Sequence, residues 1–190
     1  MALIGHNGGP SVEDGASWRR HCWAKARADL LPTLPIEVLR GRVRRARELG
    51  LEYKTYAGVR ASTGHDVVAF LFSSNALRLL APVPALSADR SAKLAAIAGA
   101  DRIALAQAPL NTVQVAHSAG PVVDQVAQAP GLLDHFGQTR AVLRMAMGRR
   151  ASDRFLLIGD TALEADWCAA ARLAGYLSAD RYFGPPSAPR

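Results

Sequence analysis

Three short apolar runs constrain this chain most, because each breaks into a polar loop that a helix-forming stretch follows. VVAFLF at 67–72 enters Ser73, Ser74 and Asn75; IALA at 103–106 enters the proline-containing loop QAPLNT; FLLIG at 155–159 enters DTALEADW. Continuous apolar runs of this length, bounded by turn residues, read as strands covered on both faces. Strand, loop and helix repeated in series predict an α/β fold: a small, mainly parallel sheet of three to four strands with flanking helices and right-handed crossovers. Between the first two runs, SADRSAKLAAIAGA reads as a helix with Ser87 as its N-cap. Residues 113–150 read as mostly helical, interrupted at AQAPG.

Before the sheet, the pattern is helical. In EDGASWRRHCWAKARADLL the residues Trp18, Cys22, Ala26 and Leu30 recur every four positions, and the prolines of LPTLP end that helix. A second helix, IEVLRGRVRRARELG, buries Leu39, Val43 and Ala46 and ends at Gly50, where a C-cap glycine belongs. YKTYAGVRASTG reads as a third, closed by Gly64. The expected organisation is a helical N-terminal region over 1–62 with a flexible start, an α/β domain over 63–184, and a disordered tail over 185–190.

The totals narrow the function classes. A chain of 190 residues can bury a core without staples, and its 49% hydrophobic content with only 6% aromatics calls for a core of Leu, Val and Ala. The +7 formal charge favours anionic partners, although the excess is spread along the chain and almost wholly arginine. Cys22 and Cys168 form no CxxC pair, which removes a disulfide framework and a zinc ribbon. VVAFLF is far too short to cross a bilayer, so the expectation is a cytoplasmic protein with no membrane partner. GHNGGP lacks the GK[ST] ending of a phosphate loop, no G-x-S-x-G elbow occurs, and the five histidines show no metal-ligand spacing.

In an open parallel sheet, ligands bind outside the carboxyl ends of the strands. That rule nominates Ser73, Ser74, Asn75, Asp160, Thr161 and Glu164 as ligand-binding residues, provided that their strands are neighbours. Asp160 and Glu164, four apart, would share one side of a helix beginning near Thr161 and could hold Mg²⁺ beside a substrate phosphate; equally, acids in a first helical turn serve the helix alone. IGDTALEADWCAAARLAG resembles the last motif of haloacid-dehalogenase-like phosphatases, and FLFSSN is similar to that family's second motif. The resemblance implies phosphate binding at Ser73 or Ser74 and Mg²⁺ at Asp160 and Glu164. The family's first motif, a DxD at the end of the opening strand that supplies the nucleophile, has no counterpart in the sequence.

The other candidate surface is basic. Arg40, Arg44 and Arg47 fall on one face of the second helix, and Tyr53 and Tyr56 follow, a set suited to clamping phosphates and stacking a base. Pairing of those arginines with Glu37 and Glu48 is the structural alternative. A helix-turn-helix alignment places Arg60 and Ser62 at positions that should be apolar, and VVAFLF within it reads better as a strand. The leading expectation is a binding or regulatory protein contacting nucleic acid or another polyanion through arginine-rich helices. The alternative is an enzyme or ligand-binding domain acting on a phosphorylated small molecule or nucleotide at the strand-end loops. A protein partner for the N-terminal helices is a third possibility, and no resident metal, cofactor or catalytic residue is assigned.

Overall fold

Side chains along a strand point alternately to opposite faces, and in this chain both sets are apolar. The computed structural model describes residues 34–79 and 85–184. Contact density divides the chain into two units, residues 1–39 and 40–190. The helix expected over 13–31 and the tail over 185–190 lie outside the described residues. Helices α1 (Ile36–Glu48) and α2 (Tyr53–Thr63) precede strand β1 (Ala69–Ser73). Then follow α3 (Ala88–Ala95), β2 (Asp101–Ala106), α4 (Thr112–Ala119), β3 (Gln125–Gln128), α5 (Phe136–Met147), β4 (Phe155–Gly159), α6 (Ala162–Ala171), β5 (Gly175–Ser178) and α7 (Ala179–Phe183).

The sheet is parallel throughout, in the order β3-β2-β1-β4-β5. Five strands, rather than three to four, is a correction with a physical cause. β1 and β4 are buried at every position, so their sequences are unbroken apolar runs. β3 (QVAQ) and β5 (GYLS) are four-residue edge strands with partly exposed faces, and neither leaves an apolar run to read. VVAFLF belongs to the sheet, and that excludes the helix-turn-helix alignment.

Alternation divides the core. Phe70, Phe72, Leu156 and Ile158 face α1–α4 and α7, packing with Ala46, Tyr56, Leu94, Val115 and Tyr182. Ala69, Leu71, Phe155 and Leu157 face α5 and α6, packing with Leu143, Met147 and Trp167. Phe70 and Phe72 stack at 5.6 Å between ring centroids, and Tyr182 lies 5.7 Å from each. The sheet is therefore doubly wound, with helices on both faces.

α1 ends as expected. Gly50 takes φ +65°, its N–H donates to the Arg47 carbonyl, and Leu51 N–H donates to the Ala46 carbonyl, so the helix closes in a Schellman turn. Ser87 does stand at the N-cap of α3, but its side chain makes no capping bond.

One helix residue that the apolar stripe did not single out ties α1 to the loops entering the sheet. Arg45 donates to the Asp66 carboxylate at 2.9 Å, to Glu48 at 3.2 Å, and to the carbonyls of Val67, Ala98 and Gly99. Asp66 in turn accepts from the Tyr56 hydroxyl at 2.9 Å. Arg45→Ala should lower unfolding free energy by about 2–3 kcal/mol, because it strips charged hydrogen bonds from a half-buried cluster. Arg45→Lys should recover little of this, since one ammonium cannot span a planar fork's partners. Urea denaturation of both variants beside Arg44→Ala, which should stay within about 0.5 kcal/mol of the parent, measures the difference.

Candidate functional site

The chain leaves β1 toward β2 and β3 on one side, then returns to lay β4 on the other, so the topological switch point falls between β1 and β4. Their carboxyl ends bring Ser73, Ser74 and Asn75 beside Gly159, Asp160 and Thr161. The adjacency on which the strand-end reading depended is therefore met. What those residues do there differs from the expectation.

Ser73 and Ser74 are fully buried, and both hydroxyls accept bonds from within the chain. Ser73 Oγ accepts from Ala76 N–H at 3.0 Å, and Ser74 Oγ from Gln107 N–H at 3.2 Å, which fastens the loop after β1 to the loop after β2. Neither hydroxyl is presented to a ligand. The turn is tight enough to force Arg78 to φ +59°.

Thr161 is the N-cap of α6, and it forms a capping box with Glu164: Thr161 Oγ1 accepts from Glu164 N–H, while Glu164 Oε2 accepts from Thr161 N–H at 2.9 Å and also from Asp160 N–H. Oε1 accepts from Asn75 Nδ2 at 3.1 Å. Glu164 is completely buried. A Cβ at Gly159 would stand 2.6 Å from the Tyr176 ring and 2.8 Å from Glu164 Oε2, so only glycine fits that position.

Asp160 points elsewhere. Its carboxylate meets Arg78 at 2.9 Å, and Arg78 reaches Asp180 at 3.5 Å. The two acids thus do not converge on a common point, which corrects the Mg²⁺ reading, and among the described residues no group of three metal-ligating side chains occurs. The family resemblance also shifts. FLFSSN closes the opening strand of the described residues, where a nucleophilic DxD would stand, and it offers serine and asparagine instead of carboxylates.

Beside this welded corner is an open cleft of about 470 Å³ that loops from four strands share. Asn75, Gln107, Gln128 and Thr161 supply its polar groups, and Ala108, Ala129, Pro130, Leu132 and Leu163 its apolar ones; among the described residues no ionisable side chain lines it. Gln128 Nε2 donates to the Ala106 carbonyl. Gln107 Oε1 is buried with no hydrogen-bond partner among the described residues. At the rim, Leu132, Leu133 and Phe136 are 78%, 95% and 59% exposed. Sequence reading did not single out Gln107 or Gln128, because a glutamine at a strand end has no distinguishing spacing.

On the basic surface, Arg40, Arg44 and Arg47 are exposed as expected. Tyr56 is not available for stacking: it is 2% exposed, its hydroxyl is engaged by Asp66, and burial foremost pushes its phenol above the ordinary range. Tyr53 is half-buried against the same core. Glu48 pairs with Arg45, not with Arg44 or Arg47. No helix among the described residues is long and apolar enough to cross a membrane.

Fold and cleft together define an open, doubly wound α/β domain with a neutral crevice at the carboxyl edge of its sheet. In comparison with known proteins, the chain matches no family model, no curated protein and no solved structure.

Glu164→Gln tests the corner directly. An amide there must turn its NH₂ toward either Asn75 Nδ2 or the two backbone N–H groups, leaving buried donors opposed, and should cost about 2–3 kcal/mol. Asp160→Asn, which breaks a more exposed pair, should cost under about 1 kcal/mol. Chemical denaturation separates the two.

Proposed function

We propose that this chain is a binding domain whose carboxyl-edge cleft receives an uncharged small molecule carrying several hydrogen-bond donors, of the nucleoside or sugar class. The observation that carries this reading is the lining: amides, a hydroxyl and apolar groups from four strand-end loops, with no ionisable side chain among the described residues. A phosphate in that cleft would lose its hydration with no cation in the lining to receive it. The α6 N-terminus offers little in compensation, because the Glu164 carboxylate already occupies the N–H groups of Asp160 and Thr161. Arg78, a nearby cation, is paired with Asp160 and Asp180. Gln107 Oε1 has no donor among the described residues to hold it, so its amide can turn to a ligand hydroxyl or amine. The same lining favours recognition over acid–base chemistry, which needs a titratable group within reach of the reacting atom.

A thermal-shift screen pairing nucleosides and simple sugars with their phosphorylated forms tests the proposal. A neutral ligand at 100 times its Kd should stabilise the chain by about 2.7 kcal/mol, and its phosphate should do no better. Gln107→Leu should remove most of the shift. A larger shift with the phosphates, or an unchanged shift in Gln107→Leu, overturns the reading.

A second reading, polyanion contact through α1, is supported by Arg44 and Arg47. Both are exposed, and neither guanidinium forms a hydrogen bond or ion pair among the described residues. With Tyr56 buried, such contact would be electrostatic and without base stacking, and therefore strongly salt-dependent. On a heparin column, Arg40, Arg44 and Arg47 changed together to alanine should elute at clearly lower salt than the parent. Co-elution of the two counts against this surface.

A further inference from the structure

The opposite, amino edge of the sheet carries a concavity of different chemistry. The loop from α5 to β4 and the end of α6 enclose about 550 Å³, lined by Arg144, Arg149, Arg150 and Arg172 against one carboxylate, Asp153. Three acids at this edge have arginine partners, Asp66 with Arg45, Asp101 with Arg150 and Asp124 with Arg102, while Asp153 meets the His65 imidazole at 3.5 Å through one oxygen and its other oxygen is buried with no hydrogen-bond partner among the described residues. Arg150 is further fixed by its bond to the Met147 carbonyl and by the Phe155 ring beneath it.

That leaves Arg144, Arg149 and Arg172 exposed, their guanidinium groups with no hydrogen bond or ion pair among the described residues. Arg144 lies in the last turn of α5 and Arg172 caps α6, so the negative ends of two helices account for part of their placement. Arg149 stands beyond the end of α5 and has no such role. Three unpaired guanidinium groups around one hollow repel one another unless an anion bridges them. Their planar forks match phosphate oxygens in pairs.

We propose that this amino-edge concavity binds an anion with closely spaced phosphate groups, held by Arg149 with Arg144 and Arg172. The phosphates can belong to a free polyphosphate or to the backbone of a single-stranded nucleic acid. The site is separate from the neutral cleft and from the α1 face.

Isothermal titration of the full chain with tripolyphosphate, and with a thymidine 20-mer over a range of salt, tests it. Tripolyphosphate should bind saturably, and the triple change Arg144→Ala, Arg149→Ala, Arg172→Ala should weaken it at least tenfold. The triple change Arg40→Ala, Arg44→Ala, Arg47→Ala should leave that affinity unchanged. If the backbone of a nucleic acid is the source, the amino-edge variant should also reduce the salt slope for the oligonucleotide by about 2, the value for three lost phosphate contacts on a single strand. If free polyphosphate is the source, that slope should not change while tripolyphosphate affinity falls. Arg149→Glu alone, with unchanged melting temperature, guards against a folding artefact and should weaken binding too. No saturable binding of either probe by the parent, or equal affinity in Arg149→Glu, overturns the proposal.

Discussion

A buried carboxylate holds the switch point of this sheet together. Burying the Glu164 charge costs several kcal/mol unless hydrogen bonds replace the lost water. Three donors do so: the N–H groups of Asp160 and Thr161, and the amide of Asn75. The first two start α6, and the third reaches across from β1, so one side chain fixes both the helix start and the spacing of two central strands. Because the Ser74 hydroxyl joins the same loop to β2, the carboxyl edge is a bonded frame before any ligand arrives. The cleft beside it is shaped by that frame and does not share its charge.

The two edges of the sheet consequently differ in kind. At the carboxyl edge the charges cancel locally, in the Arg78 pairs with Asp160 and Asp180, and the open space is lined by amides and apolar groups. At the amino edge the pairs Arg45–Asp66, Arg102–Asp124 and Arg150–Asp101 use up acids, and arginines remain. Part of the basic excess of the sequence thus stands at that edge, as another part stands on the face of α1.

Fold class was legible because β1 and β4 lie under helices on both faces and had to be apolar throughout. QVAQ and GYLS were not legible as strands, since each is only four residues long and mostly half-buried or exposed, and so needs no apolar run. Within the site, DTALE announced a capped helix, and the four-residue spacing did place Glu164 at its start. Spacing alone could not show that Glu164 turns back onto its own backbone while Asp160 turns out to Arg78, because that depends on the loop 89 residues away that supplies Asn75. Tyr56 misled for a similar reason: its partner Asp66 lies beyond the end of its helix, so a tyrosine that looked free to stack is a core residue. The glutamines and arginines that line the two concavities are gathered by tertiary structure and carry no local signature.

Gly159 adds a constraint on how this corner can diverge. The space that its missing side chain leaves is filled from two directions, by the Tyr176 ring from β5 and by Glu164 from α6. A methyl group at 159 needs the ring at 176 to shift and the carboxylate at 164 to retract, and retracting the carboxylate releases Asn75. A change at Gly159 is therefore felt at once in β4, α6 and β5, and across the switch point at Asn75.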